Sequence, residues 1–217
     1  MRKKFIIIWL IMIILCIGVG VFTRMSYKNY YEIKKDKMDL FVVGSGAGIM
    51  ENINISDIED KSEIVVRIKN TGEREYLYKT VLSKVEIIDV YKGKEKLNID
   101  NKYIYVYEPS FFNFEKEYYM AVGAITIMRK NEQYILFLNR KDFPQKYKKS
   151  DKEKNEFVLA TNNSLSKYLI SEEYQKEIVS NDLKYGEIKE YEVMVSRKED
   201  LDFYNKLKSS VLKEYVN

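Results

Sequence analysis

Apolar and polar residues follow three regimes along the chain. The first is Phe5 to Phe22, FIIIWLIMIILCIGVGVF, without a charge. At about 1.5 Å per residue it makes a helix of roughly 27 Å, close to the ~30 Å hydrocarbon core of a bilayer. A soluble surface helix shows polar residues every 3.6 positions; this run shows none and is apolar all round. Trp9 and Phe22 lie toward its ends, where rings suit the interface.

The second regime alternates with period two. In EIVVRIKN, Ile64, Val66 and Ile68 share one face, with Arg67 and Lys69 on the other, and Asn70-Thr71-Gly72-Glu73 is expected to turn. Lys79 to Tyr91 (KTVLSKVEIIDVY) is a second strand, closed by Lys92-Gly93-Lys94. Lys102 to Glu108 (KYIYVYE) is a third, stopped by Pro109, with Tyr103, Tyr105 and Tyr107 on one face. Met120 to Met128 is a fourth, broken by Gly123, and Gln133 to Asn139 (QYILFLN) is a fifth. Five strands at this spacing predict a small antiparallel barrel, which removes exposed edges by closure. Before them, Asn54 and Ser56 can cap a short helix through Lys61.

The third regime is mixed. Ser164 to Ser180 has helical signals, with Leu165, Leu169, Tyr174 and Ile178 on one side, and Glu187 to Val195 (EIKEYEVMV) alternates again. Ser196, with Glu199 three residues on, forms a capping box for a last helix. Its Leu201, Tyr204, Leu207, Val211, Leu212 and Tyr215 make an apolar stripe, expected to pack on the barrel.

Four of these segments together, SEIVVRIKN, VLSKVEIIDVYKGKEKL, KYIYVYEPSFF and NEQYILFLNR, resemble an OB-fold domain of the netrin-like (TIMP-like) kind found in membrane-anchored or lipid-anchored proteins of Gram-positive bacteria. The resemblance covers about residues 60–140. It implies a barrel and little about function. Inhibitors of that kind chelate a protease metal with an N-terminal cysteine and rely on disulfides. Here the N-terminus is expected to be embedded in a membrane and Cys16 is the sole cysteine, so none of that chemistry carries over.

The fold class expected is therefore α+β, mainly β: one N-terminal transmembrane helix, then a small five-stranded OB-like antiparallel barrel with C-terminal helices. The divisions are a basic tail (1–4), a signal anchor (5–23), a juxtamembrane stalk (24–37), the barrel (38–145), a charged loop (146–160) and a helix-strand-helix extension (161–217). A cleaved signal peptide would need small residues before its cut, and Gly18-Val19-Gly20 offers no A-x-A-like site. A lipoprotein signal would need a small residue before Cys16, where Leu15 stands. Arg2, Lys3 and Lys4 crowd the first turn, and a long following domain translocates largely regardless of its charges. The tail is thus expected inside the cell and the domain outside it.

Charge sharpens this. Of 37 Lys and Arg, three precede the anchor, leaving 34 against 33 Asp and Glu. The external part is near neutral, which excludes a nucleic-acid binder with a clustered basic face. Lys146, Lys148, Lys149, Lys152 and Lys154 cluster, but Asp151 and Glu153 interrupt them, as in a solvated loop. The absence of extracytoplasmic cysteines and the wealth of Lys, Ile, Asn and Tyr fit a Gram-positive bacterium.

Chemistry is sparse. With no histidine, every His-dependent triad and His metal ligand is excluded. After Gly44 and Gly46 the third glycine stands at 48, not where a dinucleotide fingerprint needs it, and no Lys-Ser/Thr follows for a phosphate loop, so Ser45 to Gly48 is expected to be a turn. Glu51, Asp57, Glu59, Asp60 and Glu108 are expected to be solvated surface, and Ser110 could be a nucleophile only with a Lys or carboxylate base. The expectation is a non-catalytic binding module with no cofactor or metal. Its partners would be the membrane and a protein or cell-wall ligand, and its contact surface Tyr103, Tyr105 and Tyr107, because Tyr combines a rigid apolar ring with a polar tip. The competing account has the three rings merely covering cross-strand pairs. A cell-surface protection or immunity-type role, and an enzyme using carboxylates or Lys/Ser, remain as alternatives.

Overall fold

The computed structural model describes residues 2–45, 53–97, 101–160, 165–171, 173–179 and 183–216. The Gly46–Gly48 pair, Glu51 and Ser164 lie outside them. The chain forms two compact units, Met1–Lys35 and Asp36–Asn217. In the first, helix α1 (Arg2–Ser26) is long and apolar enough to cross a membrane, and every described side chain on it is exposed. It ends where Thr23 and Ser26 turn their hydroxyls back to the carbonyls of Val19 and Thr23, 2.8 and 2.9 Å away. A short helix α2 (Tyr30–Lys34) follows.

The second unit is built on a closed barrel. Its strands are β2 (Ile64–Leu77), β3 (Thr80–Lys92), β4 (Tyr103–Glu108), β7 (Gln133–Arg140) and β8 (Glu156–Leu159). They run in the order β2-β3-β4-β8-β7 and close by pairing of β2 with β7. The barrel is mixed rather than antiparallel, because β8 lies parallel to β4, with Val106 opposite Phe157. The strand that closes it comes from the segment expected to be a charged loop; EFVL is too short to show a period. After β8, the strand β9 (Lys167–Leu169) is again antiparallel to β7. Thus β8 and β9 are one interrupted edge along β7, whose Tyr134–Leu138 are buried without a break. Among the described residues of Ser164–Ser180 the expected helix is replaced by β9 and irregular chain, since pairing with β7 overrides a weak helical pattern.

Asn70–Glu73 does not turn. β2 runs through it with a register shift, Gly72 taking φ +84°, and the hairpin turn is Tyr78-Lys79. The fourth expected strand also divides. Its start is β6 (Tyr118–Ala121), and Gly123 at φ +68° turns the chain out of it. β6 belongs to a second sheet, with β1 (Val42–Ser45) parallel to it on one side and β5 (Phe111–Asn113) antiparallel on the other. At this sheet Phe112 and Phe114 pack against Tyr76 of the hairpin and Phe41 packs on both of them, with ring centroids 5.4–6.3 Å apart. Edge-to-face pairs of this kind add about 0.5–1.5 kcal/mol each beyond their buried area.

Helix α3 (Ile55–Asp60) is capped by Asn54 and Asp57 in a reciprocal box. The Glu187–Val195 stretch begins as a helical turn, α4 (Tyr185–Ile188), and reaches extended pairing only at Val193, which bridges Ile125. The last helix, α5 (Lys198–Tyr215), is capped one residue later than expected, at Arg197, which pairs with Asp200 instead of forming a Ser196 box. Its stripe packs on the barrel: Leu201, Tyr204 and Val211 are buried, and Tyr204 stacks 5.6 Å from Tyr168 of β9.

Candidate ligand-binding face

Alternation along β4 places Ile104, Val106 and Glu108 inward and Tyr103, Tyr105 and Tyr107 outward, half-buried. A lysine lies over each outer ring. Lys84 of β3 is 4.8 Å from the Tyr103 centroid, Lys152 is 5.1 Å from Tyr105, and Lys141 is 4.3 Å from Tyr107. The row continues onto the β7–β8 loop, where Phe143 has Lys141 at 5.1 Å and Lys149 at 4.4 Å, and stacks at 5.5 Å on Tyr147. Such contacts add about 0.5–1 kcal/mol each at exposed sites.

Carboxylates hold the lysines in place. Glu73 pairs with Lys84 at 2.9 Å, Glu75 with Lys152, and Glu156 with Lys141 at 3.1 Å. Tyr107 donates to Glu156 at 2.8 Å while accepting from Lys141 at 2.6 Å. Hydrogen bonding to Glu73 raises the Lys84 pKa, and that to Glu75 raises Lys152. Burial works against Lys141, but its bonds to Tyr107 and Glu156 outweigh it and its pKa too is raised. All three stay cationic across the physiological range. Lys149 has no carboxylate at ion-pair distance among the described residues. Beside it a depression of about 310 Å³ is lined by Lys96, Arg140, Lys141, Lys149 and Lys154 with Glu95, Glu153 and Glu156. The three tyrosines are therefore the base of a layered surface, with the lysines outermost. Phe143 and Lys149 extend it; they were hidden in the sequence because nothing there shows that the loop folds back toward β4.

A second constellation lies inside. Glu108, expected at the surface, is fully buried; it accepts from Ser83 at 2.6 Å and from the Met128 amide at 2.7 Å, and faces the Lys167 ammonium at 3.4 Å. Lys167 also donates to the Thr126 carbonyl. Burial lowers its pKa, with Glu108 opposing. Nearby, Glu192 accepts from Lys208 at 2.5 Å, from Tyr204 at 3.1 Å and from the Leu169 amide at 3.2 Å. Between the two pairs is a chamber of about 10 Å³, room for about one water molecule. It shares Arg129, Leu169, Tyr191 and Glu192 with an outer groove of about 930 Å³.

These pairs clamp β3, β4, β9 and α5 together. Ser110 is buried and donates to the Ile125 carbonyl at 2.6 Å. Asp57 is the helix cap already described, and Glu59 accepts from Tyr215. Among the described residues no group of three His, Cys, Asp or Glu could hold a metal ion. No protein-family model matches this chain, and no curated protein is significantly similar to it.

Proposed function

We propose that this chain is a membrane-tethered, extracytoplasmic and non-catalytic binding module, and that its ligand is an anionic polymer of the cell envelope. The observation that carries the reading is the lysine-covered row of rings from Tyr103 to Phe143. It lies on the second and third strands of the barrel and on the loop between the fourth and fifth, and the OB-folds that the sequence resembles engage oligonucleotides and oligosaccharides through such a face and loop. The lysines present a line of cations on an apolar floor, and ligand anions can replace Glu73, Glu75 and Glu156 as their partners. Lys149, with no carboxylate at ion-pair distance among the described residues, is the natural entry point. The α1 helix supports the tether, and the basic tail before it supports an inside N-terminus.

The test is retention of the full chain, in detergent or nanodiscs, on isolated cell-wall polymers. Lys149→Glu is expected to lower retention several-fold with an unchanged melting curve, and raising salt should weaken the wild type in the same way. Equal retention of the two proteins sinks the proposal, and retention only on protease-sensitive wall components turns it toward a protein ligand.

A further inference from the structure

The β2–β3 hairpin is longer than the barrel requires. β2 pairs with β7 only from Ile64 to Lys69, and Asn70 still bonds Asn131 and Glu132; from Thr71 to Leu77 its one strand partner is β3, and this arm is flanked by β4 as far as Val81, opposite Glu108, so that only the tip passes the barrel strands. The small sheet covers one side of that arm. Its tip is Leu77-Tyr78-Lys79, in which Tyr78 is 83% exposed, Leu77 is 38% exposed, and the Lys79 ammonium lies 5.4 Å over the Tyr78 ring. A bare aromatic, a leucine and a lysine at a hairpin tip contribute nothing to the core.

Ring contacts join the chain's point of entry to the hairpin near its tip. Phe41 packs 5.7 Å from Phe114, which packs 5.4 Å from Tyr76, two residues before the tip. On either side of Phe41, Leu40 and Val42 are 60% and 56% exposed. Only Tyr27–Lys35 separate α1 from the folded unit, a leash of at most about 30 Å even if fully extended. The residues that follow such a leash cannot stray far from the surface that holds α1.

We propose that Leu77, Tyr78 and Lys79, with Leu40 and Val42, dock into the interfacial layer of the membrane that anchors this same chain. This rests on α1 being a membrane anchor. The chemistry matches the site: a tyrosine ring sits among acyl-chain ends with its hydroxyl at the headgroups, leucine adds buried apolar area, and lysine lays its stem along the apolar layer while its ammonium meets lipid phosphate. Tip and anchor together make two attachments, which restrict how the domain can tilt and turn the β3–β4 face.

The experiment uses the full chain with Cys16→Ala, reconstituted in vesicles. Tyr78→Cys carries an environment-sensitive fluorophore. Glu95→Cys, an exposed position beyond the far end of β3, carries the same fluorophore as the control. Docking predicts blue-shifted emission at position 78, strongly quenched by lipids bearing a headgroup nitroxide, with neither effect at position 95. Equal quenching at the two positions overturns the proposal. So does a blue shift at 78 that ignores the nitroxide and grows with protein-to-lipid ratio, because a second copy would then be the occupant. Failure of the chain to float with the vesicles removes the anchor itself, a result distinguishable from failure of the tip.

Discussion

Glu108 shows what the tertiary structure does to one residue. Its position on the inward face of β4 follows from alternation with Tyr107, yet an inward carboxylate is costly unless it is paired and hydrogen-bonded. The partners are Ser83 next to it in the sheet, a backbone amide from the β6–β7 connection, and Lys167 from β9. Replacing Glu108 by alanine leaves the Lys167 ammonium buried and unpaired, so unfolding free energy is expected to fall by about 3–5 kcal/mol. The joint replacement Glu108→Leu with Lys167→Met should recover most of that loss. Thermal or urea unfolding of the full chain in mild detergent measures both, and equal loss in the single and double variants would show that the ion pair is not the cause. The outward tyrosines were legible from the same alternation. Their lysine partners were not, because Lys141 and Lys152 reach them from a loop more than thirty residues away in sequence.

At the scale of elements, strands long enough to repeat a pattern announced themselves, and short ones did not. β3, β4 and β7 appear where the alternation or the apolar run placed them, β2 begins where expected but runs past its expected turn, and α5 buries the stripe its 3–4 spacing predicted. β8 and β9 are four and three residues long, and no period is visible at that length. Their conformation is dictated by free edges of β4 and β7, which must find partners. Phe157 on β8 is the residue through which this closure is fixed, buried and opposite Val106. Phe157→Ala is expected to cost about 3–5 kcal/mol. In hydrogen exchange, the amides of β8 and of the neighbouring edge of β4 should lose protection before those of the β2–β3 pair. Uniform loss across all strands would mean that the barrel opens as one body rather than at this seam.

For the molecule as a whole, the abundance of tyrosine has two destinations. Some rings make the outer face, while Tyr119, Tyr134, Tyr168 and Tyr204 are interior and Tyr185 is partly buried, each with its pKa raised by burial above the usual 10.0. In the unfolded chain these phenols ionise near pH 10 while the folded chain keeps them protonated. The folded state then binds more protons, so stability falls as pH rises above that value. Lys167, lowered by burial, acts with the opposite sign, since its penalty is relieved as pH climbs toward 10.5. Five phenols outweigh one ammonium. The melting temperature is expected to drop above pH 10, with a late rise in phenolate absorbance coinciding with unfolding; a smooth titration of all 19 tyrosines before unfolding would contradict it. The sequence alone determined the apolar helix, the mainly-β class, the inward and outward faces of the long strands and the packing stripe of the last helix, because each is a local repeat that burial makes legible. Only the tertiary structure decided the parallel closure by β8, the second aromatic sheet, the buried ion pairs and the lysines over the tyrosines. Each of these depends on which distant segments meet, and a one-dimensional pattern holds no record of such meetings.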